Sequence, residues 1–361
     1  MLDSVNINGK ILPVPIIQGG MGVGVSLGGL AGAVMERGGM GVISAAHPGY
    51  YRDDFYTDNY NANIRGLKDE IAKARQISGG NGLLGVNIMV AGQEYETMVK
   101  AAVEGGADAI ISGAGLPLEL PKYTAGSKVL IAPIVSSARR LKLIARRWDT
   151  SYGTAPDFVV IEGSLAGGHL GFKKEDLLSG NVQPLEEILP QVLRELKPYE
   201  EKYSRKIPVF VAGGIFDGAD IAKFIKLGAS GVQMATRFIA TYECDAHPAF
   251  KQAVIDCRKE DIGLVKSPAG LPGRAVRNSF IQKTESAGNI KVTNCLHCMK
   301  PCNPDDTCYC ITRALINAVK GNMAGGLVFV GSNAWRVDRL EHVDRLMKQL
   351  VSECEKALEE N

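Results

Sequence analysis

Short apolar runs rich in β-branched residues recur along the chain, separated by stretches of amphipathic, helix-like spacing. The runs lie near Val14–Gln18, Gly41–Ala45, Leu83–Met89, Ala109–Ser112, Val129–Val135, Phe158–Glu162, Val209–Ala212 and Gly231–Ala235. They are almost wholly apolar rather than alternating, as expected of parallel strands covered on both faces. Between them the spacing predicts helices over Leu27–Arg37, Ile64–Ile77, Glu94–Glu104, Ser137–Arg147, Leu185–Leu196 and Asp217–Leu227. This alternation predicts an α/β fold, a (β/α)8 TIM barrel, with a doubly wound sheet as the alternative.

The strand pattern is complete by residue 240, so 1–240 is assigned to the barrel. Asp245–Cys257 reads as a helix and Ser267–Arg277 as a loop, and 241–310 is expected to form a smaller lid domain. Residues 311–361 are expected to be C-terminal helices: a short one at Ile311–Val319, and a long one at Val337–Leu358 whose single apolar stripe must pack back on the barrel.

Composition narrows the function classes. With 41 Lys+Arg against 39 Asp+Glu the net charge is +2, and no basic stripe points to nucleic acid. No apolar run reaches the ~18 residues of a membrane span, and the first residues lack a signal-peptide pattern. The expectation is a soluble cytoplasmic protein acting on a small molecule, with no nucleic-acid or membrane partner. Monomer and homodimer both stay open.

Four segments carry chemistry. The first run ends in Gln18-Gly19-Gly20-Met21-Gly22-Val23-Gly24, where glycines let backbone approach a flat or anionic ligand; a flexible turn is the bland alternative. Asn87 places an amide near the end of an apolar run, suited either to a ligand or to a neighbouring loop. After the sixth run, Gly167-Gly168-His169 sets an imidazole among glycines, with an unperturbed pKa of ~6.5 suited to proton transfer. His47, ahead of Pro48-Gly49, is a weaker candidate that fits a turn equally well. The seventh and eighth runs end in Gly213-Gly214 and Ala235-Thr236, the place where barrels hold phosphate on glycine backbone and the positive end of a following helix. Arg274 and Arg277 read as surface arginines or as contacts to a nucleotide phosphate.

Five of the eight cysteines crowd between 295 and 310. Cys295, Cys298, Cys302 and Cys310 form the expected ligand set, with Cys308 spare or replacing Cys310, and His297 pointing away. In a cytosolic chain such spacing suits an iron–sulfur cluster or zinc better than disulfides.

Pro15–Gly22, Gly85-Val86-Asn87, Glu162 with Gly167-Gly168-His169, Val211–Ile215 and Gly231–Phe238 occur in an order and spacing that resemble the nitronate monooxygenase family, once called 2-nitropropane dioxygenases. Flavin-type enoyl-acyl-carrier-protein reductases share these motifs. The resemblance covers about residues 10–250. It implies an FMN-bound barrel that oxidises alkyl nitronates with O2 or, alternatively, reduces an activated C=C bond with electrons from NAD(P)H or an iron–sulfur centre. By the same resemblance Gln18, Gly19, Gly20 and Met21 line the isoalloxazine and Asn87 contacts the ribityl or phosphate region. Gly213, Gly214, Ala235 and Thr236 hold the phosphate, while Gly167, Gly168, Gln233 and Met234 complete the cofactor wall. His169 faces the substrate. The family commonly reads Glu-Ala-Gly-Gly-His where this chain has Ser164-Leu165-Ala166-Gly167-Gly168-His169. The cysteine segment belongs to neither branch. Its first three cysteines look like the [4Fe–4S] segment of the dienoyl-CoA reductases.

Overall fold

A computed structural model describes residues 2–360. Eight parallel strands close a barrel: Ile16–Gln18, Met40–Ser44, Leu83–Met89, Ala109–Gly113, Leu130–Val135, Val159–Glu162, Val209–Ala212 and Gly231–Met234. Closure is direct, with Val232, Gln233 and Met234 of the last strand facing Ile16, Ile17 and Gln18 of the first.

Alternation along each strand divides the apolar residues into two cores. Inward-pointing Ile17, Met40, Val42, Ala109, Ile111, Val160, Phe210 and Ala212 fill the barrel with Phe158. Outward-pointing Ile16, Ile43, Leu84, Val86, Ile110, Val159, Ile161, Val211 and Val232 meet the surrounding helices. Apolar residues thus line both faces, which is why the strands read as continuous runs.

An antiparallel hairpin, Val5–Ile7 with Lys10–Leu12, precedes the barrel and escaped the sequence reading because its strands have only three residues each. Ile7 and Leu12 join the interior core and close the barrel's N-terminal end. Asn8 Nδ2 donates to Asp157 Oδ1 at 2.7 Å, and Lys10 Nζ lies 2.7 Å from Asp108 Oδ1. Both partners precede barrel strands, so the hairpin is fixed to the face opposite the candidate site.

Beyond the barrel, Ser267–Arg277 is not wholly a loop. Pro272–Val276 is a strand, antiparallel both to Ile262–Lys266 and to the short strand Gly168–His169. Pro272 and Gly273 at its start hid the strand signal. Val265, Ala275, Phe280, Met299, Tyr309 and Leu327 belong to a separate small core over the barrel mouth. The last helix runs Val343–Glu359 and packs against helix Gly218–Lys226 on the barrel's outside. It begins later than its apolar stripe, because residues 334–336 form a 3-10 turn.

Candidate active site

Above the interior core, the next inward-pointing layer forms the floor of a cavity of about 470 Å³ at the strands' C-terminal ends. That floor consists of Ser44, Asn87, Gly113, Ile134, Glu162, Ala212 and Gln233, one from each of seven strands. Gly19 and Gly20 enter from the loop after the first strand.

Strand parity explains one departure from the expected list. Ile17 points inward, so Gln18 points outward and does not line the cavity. Its amide is fully buried and satisfied: Nε2 donates to Gly19 O at 2.6 Å, and Oε1 accepts from Val42 N at 3.1 Å. Gln18 therefore fixes the glycine loop to the neighbouring strand. Gly19, Gly20 and Met21 do line the cavity, as do Asn87, Gly167, Gly168, Gly213, Gly214, Gln233, Met234, Ala235 and Thr236.

The glycines are required by space. A Cβ at Gly20 would lie 2.4 Å from the Asn87 Cβ. A Cβ at Gly167 would lie 2.4 Å from the Val330 carbonyl carbon, so no side chain fits where the two backbones cross. Gly213 and Gly214 hold φ of 95° and 89°, a region other residues rarely enter. The helix that follows them is less available to an anion than its position suggests. Asp217 and Asp220 form a capping box at its N-terminus, and Arg336 Nη2 donates to Asp217 Oδ2 at 2.8 Å.

Residues 330–333 carry no periodic signal in the sequence, yet Val330 and Gly331 line this end of the cavity and the next two residues bond to its loops. Gly331 N donates to Thr236 Oγ1 at 3.0 Å, Ser332 N to Leu165 O at 3.1 Å and Asn333 Nδ2 to Gly214 O at 2.7 Å. Buried Ser332 Oγ and Gln233 Oε1 have no hydrogen-bond partner among the described residues. Buried polar atoms are normally satisfied, so two such orphans beside a glycine wall mark places for a ligand's polar groups. A flavin mononucleotide matches this demand: its ring N–H can serve an amide oxygen, and its phosphate can accept from a serine hydroxyl. The residues present fit the group.

His169 also lines the cavity. Its Nε2 is hydrogen-bonded to Ser267 Oγ at 2.7 Å, and its ring meets Phe329 edge-on at 5.1 Å between centroids. Burial lowers its pKa to about 4. The expected proton-transfer histidine with an ordinary pKa is thus a neutral imidazole at physiological pH. Arg274 is half-buried rather than exposed. Its Nη1 donates to Ser164 O and Ala166 O, each at 2.6 Å, and so holds the loop that carries His169. Arg277 pairs with Glu285 at 2.7 Å on the surface. Arg140, which the sequence reading missed, reaches the cavity. His47 lines a smaller cavity that His169 also borders. Its Nε2 lies 3.0 Å from Thr312 Oγ1, and burial lowers its pKa to about 4.

The cysteines do not assemble as expected. No group of three or more His, Cys, Asp or Glu side chains among the described residues is arranged to hold a metal ion. Burial first, then the nearby Cys310, Cys302 and Cys295, push the Cys298 thiol up to about 11. The expected set is therefore gathered in one region without forming a ligand group. Two sulfurs are engaged locally: Thr312 Oγ1 donates to Cys298 Sγ at 3.0 Å, and His297 N donates to Cys295 Sγ at 3.3 Å. Cys308 is buried in the small core. None of the eight cysteines forms a disulfide.

Known proteins bear on this geometry. Two curated probable nitronate monooxygenases are similar to the chain. The one from Staphylococcus saprophyticus is 27% identical over 299 residues, spanning 74% of this chain and 77% of the relative. The one from Staphylococcus aureus strain Newman is 28% identical over 305 residues, with the same coverage. Among solved structures, FabK from Thermotoga maritima superposes with a TM-score of 0.73 at 26% identity, covering 96% of this chain and 94% of that one. A nitroalkane oxidase from Streptomyces ansochromogenes shares the fold, with a TM-score of 0.70 at 23% identity over 96% of this chain and 97% of that one. The family profile described as nitronate monooxygenase matches residues 6–353. On that match, together with the barrel-mouth cavity and its glycine wall, the chain belongs to the nitronate monooxygenase family and is an FMN-dependent oxidoreductase.

Proposed function

We propose that the enzyme oxidises alkyl nitronates with O2. The observation that carries this reading is His169: a neutral imidazole, held by Ser267, facing the same cavity as the glycine wall. FMN, when bound, supplies a redox centre that exchanges one or two electrons with a substrate. The chain's own residues do the rest. Gly19, Gly20 and Met21 admit a flat ring to the barrel mouth, while Gly213, Gly214, Thr236 and Ser332 offer backbone and hydroxyl groups to the phosphate. A nitronate is already an anion, so its oxidation needs a hydrogen-bond donor more than a strong base. A neutral imidazole with one N–H provides that donor, and Arg140 at the rim attracts the negative charge. Arg274 keeps the His169 loop in place.

A reductase of an activated C=C bond, fed by NAD(P)H, is the second reading. The same neutral imidazole can donate to a thioester carbonyl, and the similarity to FabK supports it. Anaerobic mixing with NADH separates the two. Absence of flavin bleaching, together with nitronate-dependent oxygen uptake, is expected; rapid bleaching without nitronate turnover would replace the first reading by the second. An iron–sulfur or zinc centre at Cys295, Cys298, Cys302 and Cys310 remains a separate proposal, supported by the proximity of the thiols. Its check is the iron, sulfide and zinc content of anaerobically prepared protein, and absence of all three removes it.

A further inference from the structure

A second cavity of about 80 Å³ lies beside the first, and Ala46, Met89, His169 and Leu315 line both. Much of its lining is apolar and buried: Val23, Ile88, Met98, Met299 and Ile311. Gln93 is exposed and Asn59 and Glu94 are half-buried, so these polar lining residues lie toward solvent. One wall comes from the cysteine-bearing segment, through Leu296, Cys298 and Met299, and from the helix Ile311–Val319 that follows it. Ile311, Thr312 and Leu315 share one face of that helix, and all three line the cavity. The void lies where two small cores meet without filling the junction, and Leu315 packs at the edge of both.

The polar side chains inside this cavity are spent on one another. Asn63 Oδ1 accepts from Gly49 N at 3.2 Å, so its Nδ2 is the donor to His47 Nδ1 at 3.3 Å. His47 Nε2 then carries the proton and donates to Thr312 Oγ1 at 3.0 Å, and that hydroxyl donates to Cys298 Sγ at 3.0 Å. The Tyr95 hydroxyl is paired with Ser112 Oγ at 2.8 Å. None of the orphaned buried side-chain atoms among the described residues lines this cavity, in contrast to Gln233 Oε1 in the larger one. Its described lining includes no lysine or arginine. Walls whose donors are taken, and which hold no cation, exclude an anionic group and favour an apolar one.

We propose that this cavity is the subsite for an unbranched apolar chain on the substrate, and that Leu296, Ile311 and Leu315 set the chain length it accepts. The inference rests on the reading that the reacting group lies at the flavin beside His169. Because His169 borders both cavities, a chain that runs from that group past the imidazole enters the second one. By volume it holds about five methylene-sized groups. The substrate class is therefore a primary alkyl compound of about six carbons with an uncharged end.

The experiment is anaerobic titration of the FMN-loaded enzyme with neutral 1-nitroalkanes of increasing length, ethyl to octyl, read from the flavin absorption spectrum. Oxygen uptake with the corresponding nitronates is measured alongside. Wild-type Kd is expected to fall about fourfold per added carbon and to level off near about six carbons. A chain of that length ending in a carboxylate is expected to bind at least ~10-fold more weakly than its methyl-ended counterpart. Leu296→Trp fills the cavity from a half-buried position, and the hexyl-to-ethyl affinity ratio is expected to fall ~10-fold. Leu296→Ala, the reverse change, is expected to move the plateau to longer chains. A wild-type Kd independent of chain length, equal binding of the carboxylated chain, or the same length dependence in both variants as in wild type would overturn the proposal. Length-dependent binding without oxygen uptake from any nitronate would support the subsite and overturn the nitronate reading. Nitronate-driven oxygen uptake with no length dependence would overturn the subsite alone.

Discussion

The two sides of the cavity are built in contrasting ways. The glycine wall after the first, sixth and seventh strands works by leaving side chains out, so that backbones such as those of Gly167 and Val330 cross at contact distance. The His169 side works by adding them: Ser267 fixes the ring, Phe329 covers it and Arg274 ties down its loop. Steric errors should therefore be severe on the first side, while on the second the loss should be graded by how many supports remain.

Gly167→Ala, where the two constructions meet, tests this most sharply. Its Cβ must displace the Val330 backbone, and a loss of ~2 kcal/mol or more of stability is expected in a thermal melt, together with loss of FMN retention. An unchanged melting temperature would show that the crossing is loose. His169→Ala should keep FMN and lose ~10²–10³-fold in kcat/KM, the cost of one donor to a developing charge; undiminished turnover would remove His169 from the chemistry. Ser332→Ala should weaken FMN binding by ~10-fold, since it removes one donor to a charged group, and equilibrium titration checks it. Arg274→Lys sits at the small end. One contact to the loop carbonyls can persist, so a few-fold fall in kcat/KM with FMN affinity unchanged is expected.

Stability of the flavin-free protein should follow the same buried groups. His47 and His169, held near pKa 4 against an ordinary 6.5, take up protons more readily when unfolded. Their contribution is complete above pH 6.5 and is lost as pH falls toward 4. Glu162 works in the opposite sense. Its folded pKa of about 8 exceeds the ordinary 4.5, so its contribution is complete below 4.5 and is lost as pH rises through 8. Thermal melts of wild type should thus decline between about pH 6.5 and pH 8, and Glu162→Gln should lessen that decline.

The barrel was legible because strands covered on both faces leave uninterrupted apolar runs, and the glycine wall because glycines cluster at their ends. Gln18 was misplaced because proximity in sequence ignores strand parity, which turns every second side chain outward. Ser267, Phe329 and the 330–333 segment were invisible for another reason. They reach the site through tertiary return of the chain, and nothing in a stretch such as Val330-Gly331-Ser332-Asn333 marks where it will dock. The cysteine spacing was plain to read, yet the side chains turn toward local partners such as Thr312 and His297 N–H.

The return of residues 330–333 also orders events during synthesis. All eight barrel strands have been made by Met234, and the strand that pairs with His169 by Val276. The lining is complete only once Val330 and Gly331 have left the ribosome, roughly a hundred residues after the last barrel strand. A nascent chain can thus close its barrel well before it can grip a phosphate, which makes flavin capture one of the last steps of its maturation.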